Sequence, residues 1–541
     1  MAEKPVTLMP EDIQRIMGRD AQRNNILAAR MVAEMIKTTL GPKGMDKMLV
    51  SPTNEITVTN DGVTILEEMQ IEHPAAKMMV DIAKTQDTEV GDGTTTVVMI
   101  AGKLLENAER LLDQKIHPTV IVKGYKMAAE KAQEILNEIA LRINPEDEEI
   151  LKQIAMTAMT GKGAESLREK FAGIIVKAVK QIQNNGKIDL DDIKIEKSKG
   201  EGIADTELIS GIVLDKEKVS NDMPSKITNA KIVLIDFPLE LKNPEIDTKI
   251  SISSPEQLQG FLNQEERIIK EMIKKVEDTG ANVVFCQKGI DDFAQYLLSK
   301  AGIYACRRVA RSDMEKLAKA TGGKIVSNLN ELSSSELGNS EIVEEVKHGK
   351  DVLTYVKGCK NPKALTILIH GGTDHIIDEI ERAFKDGLGV VSSSLRTRLV
   401  VPGGGAIEIE LARRLRHFGQ SLSGREQLAV EEFASALEFI PITLAENAGL
   451  DPIDVLTELK SRHDSGEKNA GLNLFTNKIE NVLEAKIIEP YQIKTQAINS
   501  ATEVATMILR IDDVIASSGD KGRGNRGMSG MSGMPPGMDE Y

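Results

Sequence analysis

Residues 91–96 read Gly91-Asp92-Gly93-Thr94-Thr95-Thr96, followed by the apolar Val97-Val98-Met99-Ile100. Two glycines let backbone N–H groups approach an anion closely. Three consecutive hydroxyls can donate to phosphate oxygens. The apolar spacing after them predicts a helix, with the threonines at its N-terminus, where the dipole favours negative charge. Asp92 is an acid inside this anion site. Alone it would repel phosphate, so a hard cation such as Mg²⁺ between the two is the simplest arrangement. The pattern is not a P-loop, which needs a lysine after its second glycine. A plain glycine turn followed by a hydroxyl helix cap accounts for the same six residues equally well.

Other residues of the same character lie far away. Gly41-Pro42-Lys43-Gly44 is a glycine-rich basic turn, either a solvated surface turn or a second wall of a phosphate site. Asn60-Asp61-Gly62 is a turn with an exposed acid. The segment 156–163 is a loop with hydroxyls and one lysine, Lys162. Asp386 rides on a segment, Thr373 to Val391, that reads as helix, and Val401-Pro402-Gly403-Gly404-Gly405 opens another.

The elements that must position them follow from periodicity. Residues 20–40 predict a helix with rows Leu27-Met31-Met35 and Val32-Ile36-Leu40, stopped by Gly41-Pro42. Thr57-Val58-Thr59 reads as strand, 63–88 as helix, and 97–142 as helix broken at His117-Pro118. Short strands are expected at 188–195 and 207–214. From 230 the pattern becomes strand–helix–strand: Lys231–Asp236, a polar extended stretch 242–253, then a helix opened by Ser254-Pro255-Glu256-Gln257. Strands at 282–287, 303–309 and 324–326 follow, with helices between. Such alternation is the mark of parallel βαβ units. No GxGxxG follows a strand there, so this part reads as a binding or scaffold domain. Residues 350–370 are strand-rich. The rest is helical, with Val504, Ile508, Ile511 and Ile515 as a continuous stripe, and the Gly/Met/Ser-rich tail from Ser517 predicts disorder. Helical flanks around a mixed zone around a βα centre imply nested domains, so that Asp92 and Asp386 can meet.

The 541 residues suffice for about three domains. A net charge of −15 argues against a nucleic-acid partner. Cys286, Cys306 and Cys359 match no metal spacing, and their odd number, with no targeting segment, suggests a reducing cytoplasm. No apolar run approaches the ~20 residues of a membrane span.

The series GPKGMDKML (41–49), NDGVTIL (60–66), GDGTTT (91–96), GGGAIEIE (403–410) and AENAGLDPI (445–453) resembles the chaperonin ATPase family. The segments 245–273 and 282–292 are similar to its group II branch, the archaeal thermosomes and the eukaryotic cytosolic chaperonin. The resemblance covers roughly residues 10–515. It implies a multidomain α and α/β chaperonin fold assembled as two stacked rings. A mostly helical equatorial domain would comprise 1–144 and 400–541, and a small mixed intermediate domain 145–213 and 365–399. A βα apical domain, 214–364, would carry a helical protrusion at 241–270 as a built-in lid, so no separate co-chaperonin is implied.

The family's ATP site carries over residue by residue. Leu40, Gly41 and Pro42 would form a turn against the nucleotide. Asp92 would hold Mg²⁺, and Gly93, Thr94, Thr95 and Thr96 would bind phosphates. Gly404 falls in the glycine loop near the ribose, whose hydroxyls Glu489 would accept. Asp386 matches the water-activating carboxylate, Asp61 is a second acid near that water, and Lys162 would contact the γ-phosphate or the leaving phosphate and sense its loss. In plainer terms, Asp61 closes a turn, Asp386 is an exposed helix acid and Lys162 is a solvated loop lysine. Phe384-Lys385-Asp386-Gly387 departs from the family's usual polar residue-Asp-Ala, and His370 stands where Arg is common. These bear on rate and coupling, since the acid itself is retained. The implied function is an ATP-dependent chaperone that encloses non-native polypeptides. The alternative is a ring scaffold or holdase without productive turnover; a small-molecule kinase is disfavoured because nothing reads as an acceptor pocket.

Overall fold

The structure is a computed structural model, and it describes residues 13–161, 167–184, 186–200, 202–241, 255–349, 351–360 and 362–517. The helix Thr94–Asp113 is the axis of the largest core. Thr94 through Gly102 are all buried, so this stretch is enclosed on every side, as a helix apolar all round must be. Around it pack the helices Gly18–Lys37, Pro74–Val90, Glu426–Asn447 and Tyr491–Leu509. Buried residues of this core come from Ile26–Leu136 and again from Val401–Leu509, so both halves of the chain build it.

The second core joins the helices Glu148–Ala158, Arg168–Ile182 and Asp374–Thr397 to a three-stranded sheet. In that sheet Leu365–Gly371 lies between Ile193–Lys199, parallel, and Glu207–Ile209, antiparallel. Phe171 and Phe384 meet here with ring centroids 5.0 Å apart. The third unit is a seven-stranded sheet with a buried cluster on each face. Lys226–Ile235, Val283–Cys286 and Tyr304–Cys306 are parallel neighbours with helices between, as the alternation predicted. Gly338–His348 and Asp351–Lys357 extend it antiparallel. Cys286, Cys306 and Cys359 are free and buried there, and burial raises all three thiols.

Four expectations need correction. The helix expected over 63–88 is two, Gly62–Glu68 and Pro74–Val90. Pro74 can only begin a helix, and His73 caps it through Nδ1, which accepts from the Ala75 N–H at 3.2 Å. Second, the stripe ending at Ile515 is not one helix. Helix Tyr491–Leu509 stops, and Ile515 lies in the strand Asp513–Ser517, antiparallel to Ile13–Met17. Two chain ends pair there, a contact that local periodicity cannot report. Ser517, expected to start the disordered tail, ends that strand; the rest of the tail lies outside the described residues. Third, Leu27 and Met31 are 46% and 57% exposed, whereas Met35 of the same row packs half-buried against the core and Val32 and Ile36 are buried, so only the first part of that row faces outward. Fourth, the helix expected to end at Val391 runs to Thr397. The polar stretch 242–253 and the Ser254 cap lie outside the described residues; the helix itself spans Pro255–Asp278.

Backbone proximity sets the main helix crossing. A Cβ on Gly102 would lie 2.4 Å from the Ala33 Cβ, so Gly18–Lys37 packs against Thr94–Asp113 only because residue 102 has no side chain. Gly102→Ala is expected to destabilise by about 1–3 kcal/mol in denaturant unfolding. Adding Ala33→Gly should recover part of that loss, since the two changes share one contact.

Candidate nucleotide site

The loop 91–93 is held between two helices. Gly91 ends Pro74–Val90 at φ 78° and Gly93 opens Thr94–Asp113 at φ 81°, both left-handed and strained for any side chain. Asp92 lies between, and its Oδ1 accepts from the Gly93 N–H at 2.7 Å. Gln86, fully buried, donates Nε2–H to Asp92 O at 2.9 Å and to Ile493 O at 3.3 Å. With Gly93 as the cap, no side chain caps the first turn of the following helix, which leaves its leading N–H groups for an outside acceptor.

The other walls come from distant segments. Asp61 caps helix Gly62–Glu68: its Oδ2 accepts from Thr64 N at 2.9 Å and Thr64 Oγ1 at 2.7 Å, and its Oδ1 from Thr94 Oγ1 at 3.3 Å. Asp61 therefore closes a turn and also touches the threonine row. Gly41 turns at φ 81°, and Asn447 secures that turn by donating to Leu40 O at 2.9 Å. Pro42 sits against Gly161. The loop continues into residues outside the described set, and Lys162 is among them.

Asp386 is buried on helix Asp374–Thr397. One turn on, a Cβ on Gly389 would lie 2.9 Å from the Gly91 Cα and 3.0 Å from Val90 O. Backbone meets backbone there, and this brings Asp386 to the phosphate-type loop. The neighbours that departed from pattern have physical accounts. Phe384 fills the second core, Lys385 is exposed and paired with Glu381 at 2.8 Å, and a Cβ on Gly387 would strike Ile175 at 2.5 Å. His370 is buried in strand Leu365–Gly371, with its ring 5.5 Å from that of His348.

At the opposite end, Gly404 (φ 61°) lies so close to the strand Ala470–Asn473 that a Cβ would be 2.7 Å from Leu472 O. Glu489, on Ile488–Pro490, pairs in register with Val401. Lys494 Nζ bridges Glu489 Oε2 at 2.5 Å and Glu408 Oε1 at 2.8 Å. Burial pulls the Lys494 ammonium down, but the two carboxylates more than offset it and hold it above its ordinary value. Burial also pushes Glu489 up, against the pull of Lys494. Glu408 Oε2 has no hydrogen-bond partner among the described residues.

All these pieces line one cavity of about 400 Å³. Leu40, Gly41, Pro42, Asp61, Asp92, Gly93, Thr94, Thr95, Thr96, Asp386, Gly404 and Glu489 all contribute to its lining. Among the described residues no group of three or more His, Cys, Asp or Glu could hold a metal by itself. A cation at Asp92 would take oxygens from a ligand or water alongside that carboxylate, which suits Mg²⁺ on a polyphosphate.

A family model described as the TCP-1/cpn60 chaperonin family matches residues 32–518. The chain belongs to the chaperonin family. It is 59% identical to a thermosome subunit of Methanopyrus kandleri over 95% of each chain. It is 58% identical to thermosome subunit beta of Archaeoglobus fulgidus over 98% of each. A Pyrococcus horikoshii thermosome subunit is 55% identical over 97% of this chain and 98% of its own. Full-length similarity at this level identifies an archaeal-type group II chaperonin with the family's multidomain α and α/β fold.

Sequence reasoning missed Gln86, Glu408 and Lys494 in this chaperonin. Gln86 had one detectable mark, a polar residue on the apolar face of its helix. Glu408 and Lys494 had none, because their partners lie on other elements. Lys494→Met would leave buried Glu408 and half-buried Glu489 without a cation, and should cost about 3–5 kcal/mol in urea unfolding. The loss should shrink as the pH falls, because burial already raises Glu489 and its protonation removes an unpaired charge.

Proposed function

We propose that this chaperonin subunit binds and hydrolyses ATP with Mg²⁺, and uses the cycle to enclose and release non-native polypeptides. The observation that carries the reading is the shared cavity. Asp92 comes from the largest core and Asp386 from the second, and they face one space floored by a helix N-terminus and three threonines. In this reading the N–H groups and hydroxyls of Gly93, Thr94, Thr95 and Thr96 bind phosphate oxygens. Asp92 holds Mg²⁺, which supplies charge neutralisation of the phosphates. Glu489 accepts from the ribose hydroxyls, Leu40, Gly41, Pro42 and Gly404 enclose the nucleoside, and Lys162 contacts the terminal phosphate. Asp386 orients a water and takes its proton, with Asp61 as a second acid beside that water.

The three cores supply the working parts. The largest, about 1–144 with 400–541, is the equatorial domain; the second, 145–213 with 365–399, is the intermediate domain; the third, 214–364, is the apical domain with its lid at 241–270. Because Asp386 belongs to the intermediate domain, completing the site requires that domain to sit down on the equatorial one. ATP then favours the closed arrangement by differential binding, and the lid follows. The subunits stack as two rings without a separate co-chaperonin. Three free thiols suit a cytoplasmic setting. No helix among the described residues is long and apolar enough to cross a membrane.

Asp386→Ala should bind ATP with near-unchanged affinity and release phosphate at least about 100-fold more slowly. Wild-type phosphate release would remove Asp386 from the chemistry, and an unsubstituted protein that holds clients without releasing phosphate would favour the holdase. Gly389→Ala tests the approach of the helices. It should keep nucleotide binding while slowing turnover roughly ten- to a hundredfold, because its methyl displaces Asp386 from the loop.

A further inference from the structure

His463 is fully buried at the end of helix Pro452–Asp464, away from the cavity lining. Its two ring nitrogens face two acceptors: Nε2 lies 2.8 Å from Ala470 O and Nδ1 3.1 Å from Glu410 Oε2. A carbonyl oxygen cannot donate, so Nε2 carries a proton. Burial raises Glu410, but hydrogen bonds from His463, Arg413 and Arg414 outweigh it and hold the carboxyl well below the usual range. Both ring nitrogens are thus held, one by the strand's first residue and one by the carboxylate of Glu410.

The two elements it ties together adjoin segments that line the cavity. Glu410 stands on helix Ala406–Gln420, which begins directly after the glycine turn 403–405. Ala470 starts the strand Ala470–Asn473, whose Leu472 N–H donates to Gly404 O at 2.8 Å. A Cβ on Gly471 would lie 3.0 Å from Gly403 O. Leu472, Leu474 and Phe475 then line the cavity. Strand and glycine turn thus lie backbone to backbone, and the His463 clamp joins the strand's first residue to the helix behind the turn.

We infer that His463 is a positioning residue for the nucleoside end of the cavity, acting through its Nε2–H on Ala470 O while Glu410 anchors the ring. This rests on the nucleotide reading above. It acts on binding and leaves the reacting end, with Asp92 and Asp386, untouched.

The test separates the two arms. An asparagine amide ends near the Nδ1 position and a glutamine amide near Nε2. His463→Asn keeps the Glu410 arm and loses Ala470; His463→Gln does the reverse. With the assembled protein, His463→Asn should raise KM for ATP about fivefold with kcat within about twofold, while His463→Gln keeps KM within about twofold. Thermal unfolding of both variants checks the fold. A wild-type KM in His463→Asn, equal rises in both variants, or failure of both to fold would each overturn the inference, the last by making His463 a core residue only. If the unsubstituted protein turns over no ATP, the nucleotide reading itself falls and takes this inference with it.

Discussion

The contact on which the site depends is between two backbones. Gly91 and Gly389 touch with no side chain between them, one in the loop before the threonine row and the other a turn past Asp386. A methyl at either position would force two units apart. The chain therefore spends its conformational freedom at glycines where a helix from one core must reach a loop of another. The same device recurs at Gly404 against Leu472 and at Gly102 against Ala33. Close approach is what a residue without a Cβ allows, and here it decides which polar groups share a cavity.

Charge is managed by distance from that contact. Asp61, Asp92 and Asp386 line the cavity, an arrangement that suits a ligand arriving with a cation. Around the glycine turn 403–405 the charges are paired instead. Lys494 serves Glu408 and Glu489, and Glu410 collects His463, Arg413 and Arg414. Buried charges of this kind stabilise little in net terms, since desolvation offsets attraction, but they enforce one arrangement of the elements that carry them. That fits walls whose spacing must match a ligand.

Local pattern and neighbourhood contributed differently along the chain. The helix Pro118–Ile139 and the parallel strands Val283–Cys286 and Tyr304–Cys306 were legible because Pro and apolar periodicity act within a few residues. The break at Met69–His73 was obscured by apolar residues on both sides of it. The row Leu27-Met31 satisfied helical spacing yet faces outward, because periodicity reports a stripe and not what covers it. Ile515 obeyed a helical period and became a strand, since Ile13–Met17, from the other end of the chain, offers it a ladder.

By itself the sequence determined the loop of glycines, acid and threonines, the helices and strands around it, and, through motifs in fixed order, the family. Those are properties of neighbouring residues or of residue identity. Tertiary structure alone decided that Gly389, a turn past Asp386, stands against Gly91, that Gln86 holds Asp92 O, that Lys494 bridges two carboxylates and that His463 is held between Glu410 and Ala470. Each of these depends on a partner from a remote segment, and a hydrogen bond or a buried charge exists only once folding has set both ends within about 3 Å.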